Sequence, residues 1–341
     1  MRSPILLSLG LAALPATATA QWTYGTSGTT AGLRGLSVVS PDVVWASGTR
    51  GTVLRSLDGG RSWTAETIPG AQTLDFRSLH AMNDGLGLVA SAGEAEKGLA
   101  RIYATGDGGR HWRRVFATEQ QGVFFDALHF WDLQRGIALS DPVDSAFVLL
   151  ATDDRGGTWS RIPASRLPRV LPGEAAFAAS GSSIVLRGTS LLWIGTGGGG
   201  RARVMRSSDA GRSWQVVDVP VHAAGPAAGI FALAFFDDST GIAVGGDYTQ
   251  PRLRATSVAI TRDGGHTWRR AAEPPAAYLS GVAYAGSRDD LVAVGLAGTF
   301  VSSDGGDRWR QVDTVAMNAV RFHGTAGFAV GPRGRVARWT P

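Results

Sequence analysis

The stretch "SLDGGRSW" at positions 56–63 decides the fold, because its pattern Ser/Thr-x-Asp-x-Gly-x-x-Trp returns five more times along the 341-residue chain. The spacing between successive copies is typical of the blades of a β-propeller, each of which contains four strands. The other copies are "TGDGGRHW" at 105–112, "TDDRGGTW" at 152–159, "SSDAGRSW" at 207–214, "TRDGGHTW" at 261–268 and "SSDGGDRW" at 302–309. We call this octapeptide the box.

The residues around the first box read as four short strands. Apolar runs at 35–39, 43–46 and 52–55 are separated by turn residues, and the segment "WTAET" at 63–67 follows the box. Short runs rich in Val, Phe and Ala between Gly, Pro, Ser and Asp predict strands rather than helices. Later repeats show the same order, so we predict an all-β fold of four-stranded antiparallel blades.

The end of the chain predicts a seventh blade. The segment "RGRVARWTP" at 333–341 matches "RGTVLRSLD" at 50–58, and the chain stops where a seventh box would begin. The segment "QWTYGT" at 21–26 resembles "SWTAET" at 62–67, which follows the first box. We therefore predict a single domain, residues 21–341, whose last blade combines residues 317–340 with residues 22–26. Closing the ring with the N-terminal strand also covers an exposed strand edge.

The first twenty residues, "MRSPILLSLGLAALPATATA", have the pattern of a cleaved signal peptide. A positive charge at Arg2 precedes an apolar centre, and Ala18-Thr19-Ala20 forms a small-residue cleavage site. No later stretch is long and apolar enough to span a bilayer, so no transmembrane anchor is expected after cleavage. We predict export to the periplasm or secretion from the cell.

The charge balance has two readings: a basic face that recognises acidic groups, or a composition that uses arginine wherever a solvated cation is needed. The formal net charge is +5, and Lys97 is the one lysine among the cationic side chains. Arginine forms bidentate pairs with carboxylates and stacks on aromatic rings. An exported protein has little access to nucleic acid, so we expect no nucleic-acid partner.

Neither a cofactor nor a metal ion is expected from the motifs. The chain has no cysteine and no HExxH pattern, and "GGGG" at 197–200 lacks the following Lys-Ser/Thr of a phosphate-binding loop. His80 and His129 fall at equivalent positions in blades 2 and 3. We expect such side chains to point the same way around the ring and not at each other.

Every residue type in the box has a structural role. The aspartate can accept hydrogen bonds from the next backbone N–H groups, the glycine can take a positive φ, and the tryptophan can pack against a neighbouring sheet. The predicted structural residues are Asp58, Asp107, Asp154, Asp209, Asp263 and Asp304, with Trp63, Trp112, Trp159, Trp214, Trp268 and Trp309.

A binding site is expected on the face that the boxes do not occupy. The boxes and the turns between the first two strands of each blade share one face, which we call the box face. The longer, variable loops lie on the opposite face, which we call the loop face, and loops on a rigid scaffold commonly bind ligands. The candidate binding residues there are Arg34, Arg77, Arg203, Tyr248 and Arg252.

The repeat resembles the photosystem II stability/assembly factor family, a group of exported seven-bladed propellers with Asp-box (BNR) repeats. The resemblance rests on the boxes and on strands such as "GIAVG" at 241–245 and "GFAVG" at 327–331, and it extends over about the whole mature chain. It implies a non-catalytic binding protein that serves as an assembly scaffold. The expected partner is another exported or membrane protein, or a peptide segment of one.

A glycoside hydrolase of the sialidase or xyloglucanase type is the alternative, because Asp-box propellers also include these enzymes. Glycan hydrolysis needs two carboxylates that face each other across the sugar. The candidates on the loop face are Asp126, Asp141, Asp247 and Glu94, and a glycan would then be the ligand.

Overall fold

The computed structural model describes residues 21–340, so the predicted signal peptide, residues 1–20, lies outside the described part. Seven four-stranded antiparallel sheets form the fold. From the innermost strand outward, they are Leu33–Val38, Val44–Gly48, Thr52–Ser56 and Thr64–Thr67 in blade 1; Phe76–Ala81, Gly87–Ser91, Arg101–Thr105 and Arg113–Ala117 in blade 2; Phe125–Phe130, Gly136–Val143, Ala146–Thr152 and Ser160–Arg161 in blade 3; Ile184–Arg187, Leu191–Thr196, Ala202–Ser207 and Gln215–Val219 in blade 4; Ala228–Phe235, Gly241–Asp247, Val258–Thr261 and Arg269–Arg270 in blade 5; Gly281–Tyr284, Leu291–Gly295, Gly298–Ser302 and Arg310–Asp313 in blade 6; and Ala319–His323, Ala326–Val330, Val336–Thr340 and Gln21–Gly25 in blade 7.

The innermost strands surround a central channel. Each contacts the innermost strand of the next blade, and the contact between blades 7 and 1 completes the circle. Two short 3-10 helices, Ala95–Lys97 and Ala164–Arg166, interrupt the loops. Within residues 21–340, no helix has the length and apolar character needed to cross a membrane.

The N-terminal strand closes the ring, which confirms the prediction. Gln21–Gly25 pairs antiparallel with Val336–Thr340, with Trp22 opposite Trp339. The two indole rings pack edge to face with centroids 4.8 Å apart. The indole N–H of Trp22 also donates to Thr299 Oγ1 of blade 6 at 2.9 Å, which ties the closing strand to the neighbouring blade.

The apolar core lies between the blades. Each interface between neighbouring blades in the described chain holds its own cluster of buried side chains. Trp45 and Trp193 are among the largest fully buried side chains, and each extends from the second strand of its blade. Because burial of such rings stabilises an interface by a few kcal/mol each, the blades hold one another in register.

Each box is held by its own side chains. In the first, Asp58 Oδ1 accepts from the Ser56 hydroxyl at 2.8 Å and from the backbone N–H groups of Arg61 and Ser62. The Ser56 hydroxyl in turn accepts from Gly60 N at 2.8 Å, and Gly60 has a φ of 78°. The aspartates of the other five boxes make equivalent bonds within their hairpins.

The boxes and the turns between first and second strands lie on one face, as the strand order predicts. Gly59 N of the first box donates to Asp42 O of that turn in the same blade at 2.9 Å. The box tryptophans are partly buried and pack against the clusters at the blade interfaces.

Candidate functional site at the loop-face end of the channel

Four innermost strands carry a β-bulge at the same position, next to the loop face. The register shifts around Arg34, Arg77, Asp126 and Phe231 in blades 1, 2, 3 and 5. A bulge leaves the extra residue unpaired and redirects its side chain. All four residues line one cavity of about 530 Å³, which we call the mouth cavity.

Residues 175–183, the connection into blade 4, fill the centre of the channel, and we call them the channel plug. They are buried except for the partly buried Ala175. They form hydrogen bonds with residues of blades 1, 2, 3, 5, 6 and 7. The Ser180 hydroxyl donates to Ser280 O of blade 6 at 2.7 Å, and Leu233 N of blade 5 donates to Ser182 O at 2.9 Å. Residues 175–179 form part of the lining of the mouth cavity.

Two arginines reach into the mouth cavity with part of their donor groups unused. Arg34 Nη1 donates to Ala179 O at 3.0 Å, and Arg77 Nε donates to Asp75 Oδ2 at 2.7 Å. Within residues 21–340, Nε and Nη2 of Arg34 and Nη2 of Arg77 make no hydrogen bond. Burial, and then the like charge of Arg77, lowers the pKa of Arg34. A carboxylate placed between them would relieve this repulsion.

Asp126 and Asp141 form a carboxyl pair in the same cavity. Asp126 is 1% exposed, and its Oδ2 makes no hydrogen bond within the described part of the chain. Burial, followed by the charge of Asp141, raises the pKa of Asp126 well above its ordinary value. Burial also raises the pKa of Asp141 to about 6, although its Oδ1 accepts from Ala176 N of the plug at 3.0 Å. Burial therefore disfavours the ionised form of Asp126.

Aromatic rings form one wall of the mouth cavity. Phe177 of the plug stacks on Phe231 with centroids 4.0 Å apart, and Tyr278 meets Phe231 edge to face at 4.7 Å. Tyr248 completes the group at 6.1 Å from Phe231 and is 49% exposed. This wall offers an apolar surface beside the two guanidinium groups.

The structure brings five of the predicted residues together in this cavity and places four elsewhere. The cavity contains Arg34, Arg77, Tyr248, Asp126 and Asp141. The residues outside its lining are Arg203, Arg252, Glu94 and Asp247.

Internal contacts occupy three of these four residues. Arg203 is paired with the buried Glu174, and the exposed Glu94 is paired with Lys97. Asp247 caps its own loop by accepting from Thr249 N at 2.8 Å. Burial opposes the ionisation of Asp247, but bonds from Thr249 and Gln250 outweigh it and lower its pKa. Arg252 is exposed in the loop between the second and third strands of blade 5.

The expectation for the two histidines was wrong. The rings of His80 and His129 pack edge to face with centroids 5.6 Å apart, because neighbouring innermost strands converge at the channel. Their burial lowers the pKa of His80 to about 4 and that of His129 to about 3. The nearby His80 lowers the pKa of His129 further, and the charge of Arg321 lowers both. Both rings are therefore neutral near pH 7.

Sequence reasoning missed the plug and its residue Phe177, as well as Tyr278. The signal available was the run "AAFAASGSS" at 175–183, which has no charge and directly precedes a short innermost strand. Small uncharged residues suit a segment that must pass through a narrow channel, but composition alone does not say where such a segment goes.

These features define a seven-bladed β-propeller whose channel is filled by one of its own connections. No family model and no curated protein sequence matches the chain. Among solved structures, the chain is similar to YCF48 bound to D1 peptide, with a TM-score of 0.65, 16% identity and coverage of 98% of this chain and 100% of that one.

Two further solved structures share the fold. YCF48 from Cyanidioschyzon merolae has a TM-score of 0.64 and 18% identity, over 94% of this chain and 99% of that chain. The WD40 β-propeller domain of Doa1 has a TM-score of 0.62 and 13% identity, over 94% of this chain and 97% of that one. At these identities the similarity establishes the propeller fold.

Proposed function

We propose that this protein is an exported, non-catalytic binding protein that captures an acidic peptide segment of another exported or membrane protein at the mouth cavity. The observation that carries the proposal is the pair Arg34 and Arg77, whose unused N–H donors lie beside an aromatic wall. Arginine and aromatic side chains are the residue types that dominate binding energy at protein interfaces. In the assembly role that the resemblance implies, the loop face would hold this segment of the partner.

The comparison with known structures supports a peptide ligand. One propeller of similar fold is YCF48 bound to D1 peptide, and the chain spans the whole length of that structure. A propeller of this kind can therefore present a peptide-binding surface, and the mouth cavity is where this chain combines cationic donors with exposed aromatic area.

Burial limits the negative charge that Asp126 contributes to the mouth cavity. Burial and the charge of Asp141 raise its pKa, so it opposes the charges of Arg34 and Arg77 less than an ordinary aspartate would. A peptide carboxylate would make charge-assisted hydrogen bonds with the free guanidinium nitrogens, and these are about twice as strong as neutral ones.

Binding of synthetic octapeptides to residues 21–341 tests the proposal. A peptide with adjacent phenylalanine and glutamate residues should bind, and its twin with glutamine in place of glutamate should bind at least about tenfold more weakly. The double variant Arg34→Gln/Arg77→Gln should lose binding of the acidic peptide. The charge-matched control Arg113→Gln/Arg114→Gln changes two exposed residues on the outer strand of blade 2 and should bind as the wild type does.

Equal binding of the acidic and amide peptides, or unchanged binding by the Arg34/Arg77 double variant, would contradict the proposal. Circular dichroism and thermal unfolding of each variant would separate lost binding from lost folding.

A glycoside hydrolase is the second candidate, favoured by the raised pKa values of Asp126 and Asp141 in one cavity. A carboxyl group whose pKa is raised can serve as a general acid in glycan hydrolysis. Release of reducing sugar from a glycan panel by the wild type, abolished in Asp126→Asn and Asp141→Asn, would favour the enzyme over the binding protein.

A further inference from the structure

The opposite end of the channel contains a second cavity, of about 540 Å³, which opens on the box face. We call it the box-face well. Five of its lining residues, His129, Val185, Ala234, Ala283 and Arg321, occupy the same position in the innermost strands of blades 3 to 7. Their side chains therefore converge on the channel axis at one level.

The plug separates this well from the mouth cavity. On the well side, Arg321 Nη1 donates to Ser182 Oγ at 2.9 Å, and His129 Nε2 lies 2.7 Å from Gly181 O. On the mouth side, Arg34 and Arg77 donate to carbonyl oxygens of Ala179 and Ala178. Any ligand of the well is therefore distinct from the peptide proposed for the mouth.

Arg321 is a cation without a charged partner. Its two hydrogen bonds go to the Ser182 hydroxyl and, at 3.3 Å, to Val320 O, both of which are neutral. Within residues 21–340, no carboxylate pairs with Arg321, and Nε and Nη2 of its guanidinium make no hydrogen bond. Arg187, which lines the same well, is by contrast paired with Asp238 at 2.8 Å.

The other titratable groups near Arg321 leave its charge unbalanced. Burial lowers the pKa of Arg321 to about 10, so the guanidinium is still protonated at neutral pH. Burial, with a contribution from this cation, lowers the pKa of His80 and of His129, so both rings are neutral. Because Gly181 O can only accept, His129 carries its proton on Nε2. The well therefore holds one uncompensated positive charge, and burying such a charge is costly unless a partner neutralises it.

Apolar side chains form part of the wall of the well. Val185, Ala234 and Ala283 line it at the level of Arg321, and Phe235 and Phe322 extend the apolar surface towards the box face. A concave site of a few hundred cubic ångströms that combines apolar side chains with a few placed polar groups is typical of small-molecule binding sites.

We propose that the box-face well binds a small organic carboxylate, whose charged group pairs with Arg321 and whose apolar body packs against Phe235 and Phe322. The free Nε and Nη2 donors of Arg321 are adjacent nitrogens of one guanidinium edge, and this edge matches the two oxygens of a carboxylate. Such an anion pairs with the charge of Arg321 and also packs against the apolar side chains. Inorganic phosphate can only pair with the charge.

Benzoate and its neutral counterpart benzamide are the probes, titrated into residues 21–341 and followed by calorimetry and by NMR of the arginine side chains. Benzoate should bind and should shift the Nε–Hε signal of Arg321, while benzamide and inorganic phosphate should bind at least about tenfold more weakly. The variant Arg321→Gln should weaken benzoate binding by about tenfold or more. The matched control Arg201→Gln removes an arginine that is paired with Asp218 outside the well, and benzoate binding should stay within about twofold of the wild type.

Three results would overturn the proposal: equal binding of benzamide, phosphate binding as tight as benzoate binding, or an Arg321 signal that does not move in the wild type. The last measurement requires no variant, so it decides the question even if Arg321→Gln loosens the plug at Ser182 and fails to fold.

Discussion

The guanidinium of Arg203 and the carboxylate of Glu174 form a two-point ion pair that holds the entrance of the channel plug against the third strand of blade 4. The Glu174 side chain is 0% exposed and that of Arg203 is 11% exposed. Glu174 also accepts from Thr196 Oγ1 at 2.6 Å and from Leu171 N at 2.8 Å, so both carboxylate oxygens are fully used. This pair explains why Arg203 does not contribute to the mouth cavity.

Removal of Arg203 should strongly destabilise the protein. Arg203→Met leaves the buried Glu174 carboxylate without its cation, and loss of one partner of a buried pair costs about 3–5 kcal/mol. Urea unfolding monitored by tryptophan fluorescence would measure the change. Arg201→Met removes an arginine from the exposed pair with Asp218 and should cost about 0–1 kcal/mol. Equal losses in the two variants would contradict the structural role of the buried pair.

A methyl group at Gly181 should disturb the plug. Gly181 has a φ of 66°, and an added Cβ would lie 2.9 Å from Ser78 Oγ, which already accepts from Leu128 N at 2.8 Å. Gly188 has a φ of 55° but open space around its Cα. Gly188→Ala should therefore cost only about 1–2 kcal/mol of backbone strain, and Gly181→Ala should cost more. Thermal unfolding compares the two, and a smaller loss for Gly181→Ala would show that the plug is loosely packed.

Trp22 should be essential for ring closure. Trp22→Ala removes the ring that packs on Trp339 and bonds Thr299, and should cost about 3–5 kcal/mol. Trp22→Phe keeps much of the buried area and should cost less, because mainly the hydrogen bond is lost.

Deletion of residues 21–26 should have a further effect, because it exposes the edge of Val336–Thr340 and favours association between chains. Light scattering measures this association when the protein of residues 27–341 is compared with that of residues 21–341. A monomeric, equally stable truncated protein would show that the closing strand is dispensable.

The boxes should make stability depend on acid pH. Hydrogen bonds from the Ser62 and Ser213 side chains, reinforced by backbone N–H groups, lower the pKa of Asp58 and of Asp209 to about 2. The unfolded-state pKa of aspartate is about 3.9, so this contribution is complete above about pH 4 and is lost as the pH falls towards 2.

The double variant Asp58→Asn/Asp209→Asn should be less stable than the wild type at pH 6 and should lose less stability between pH 4 and pH 2. The two stability curves should approach each other near pH 2, where the wild-type carboxylates are also becoming protonated. Denaturant unfolding over this range measures both curves, and parallel curves would exclude a role for these carboxylates in acid unfolding.

Much of the fold could be predicted from the sequence because the contacts that define it are local. Asp58 bonds residues no more than four positions away, and the same arrangement recurs in every box. The match between residues 21–26 and the strand after the first box predicted ring closure, although the strands themselves lie at opposite ends of the chain. The bulge residues Arg34, Arg77 and Asp126 were among the candidates predicted on the loop face, and the structure shows that they share one position in the repeat.

The amino-acid sequence by itself determined the seven blades, the position of the boxes and the way in which the ring closes. The tertiary structure decided the course of residues 175–183, the edge-to-face packing of His80 against His129 and the isolation of Arg321. These features depend on contacts between residues that are far apart in the chain, such as Arg34 and Ala179, which are separated by 145 positions. A repeat pattern shows which positions face the channel, but packing across the channel decides which side chains meet there.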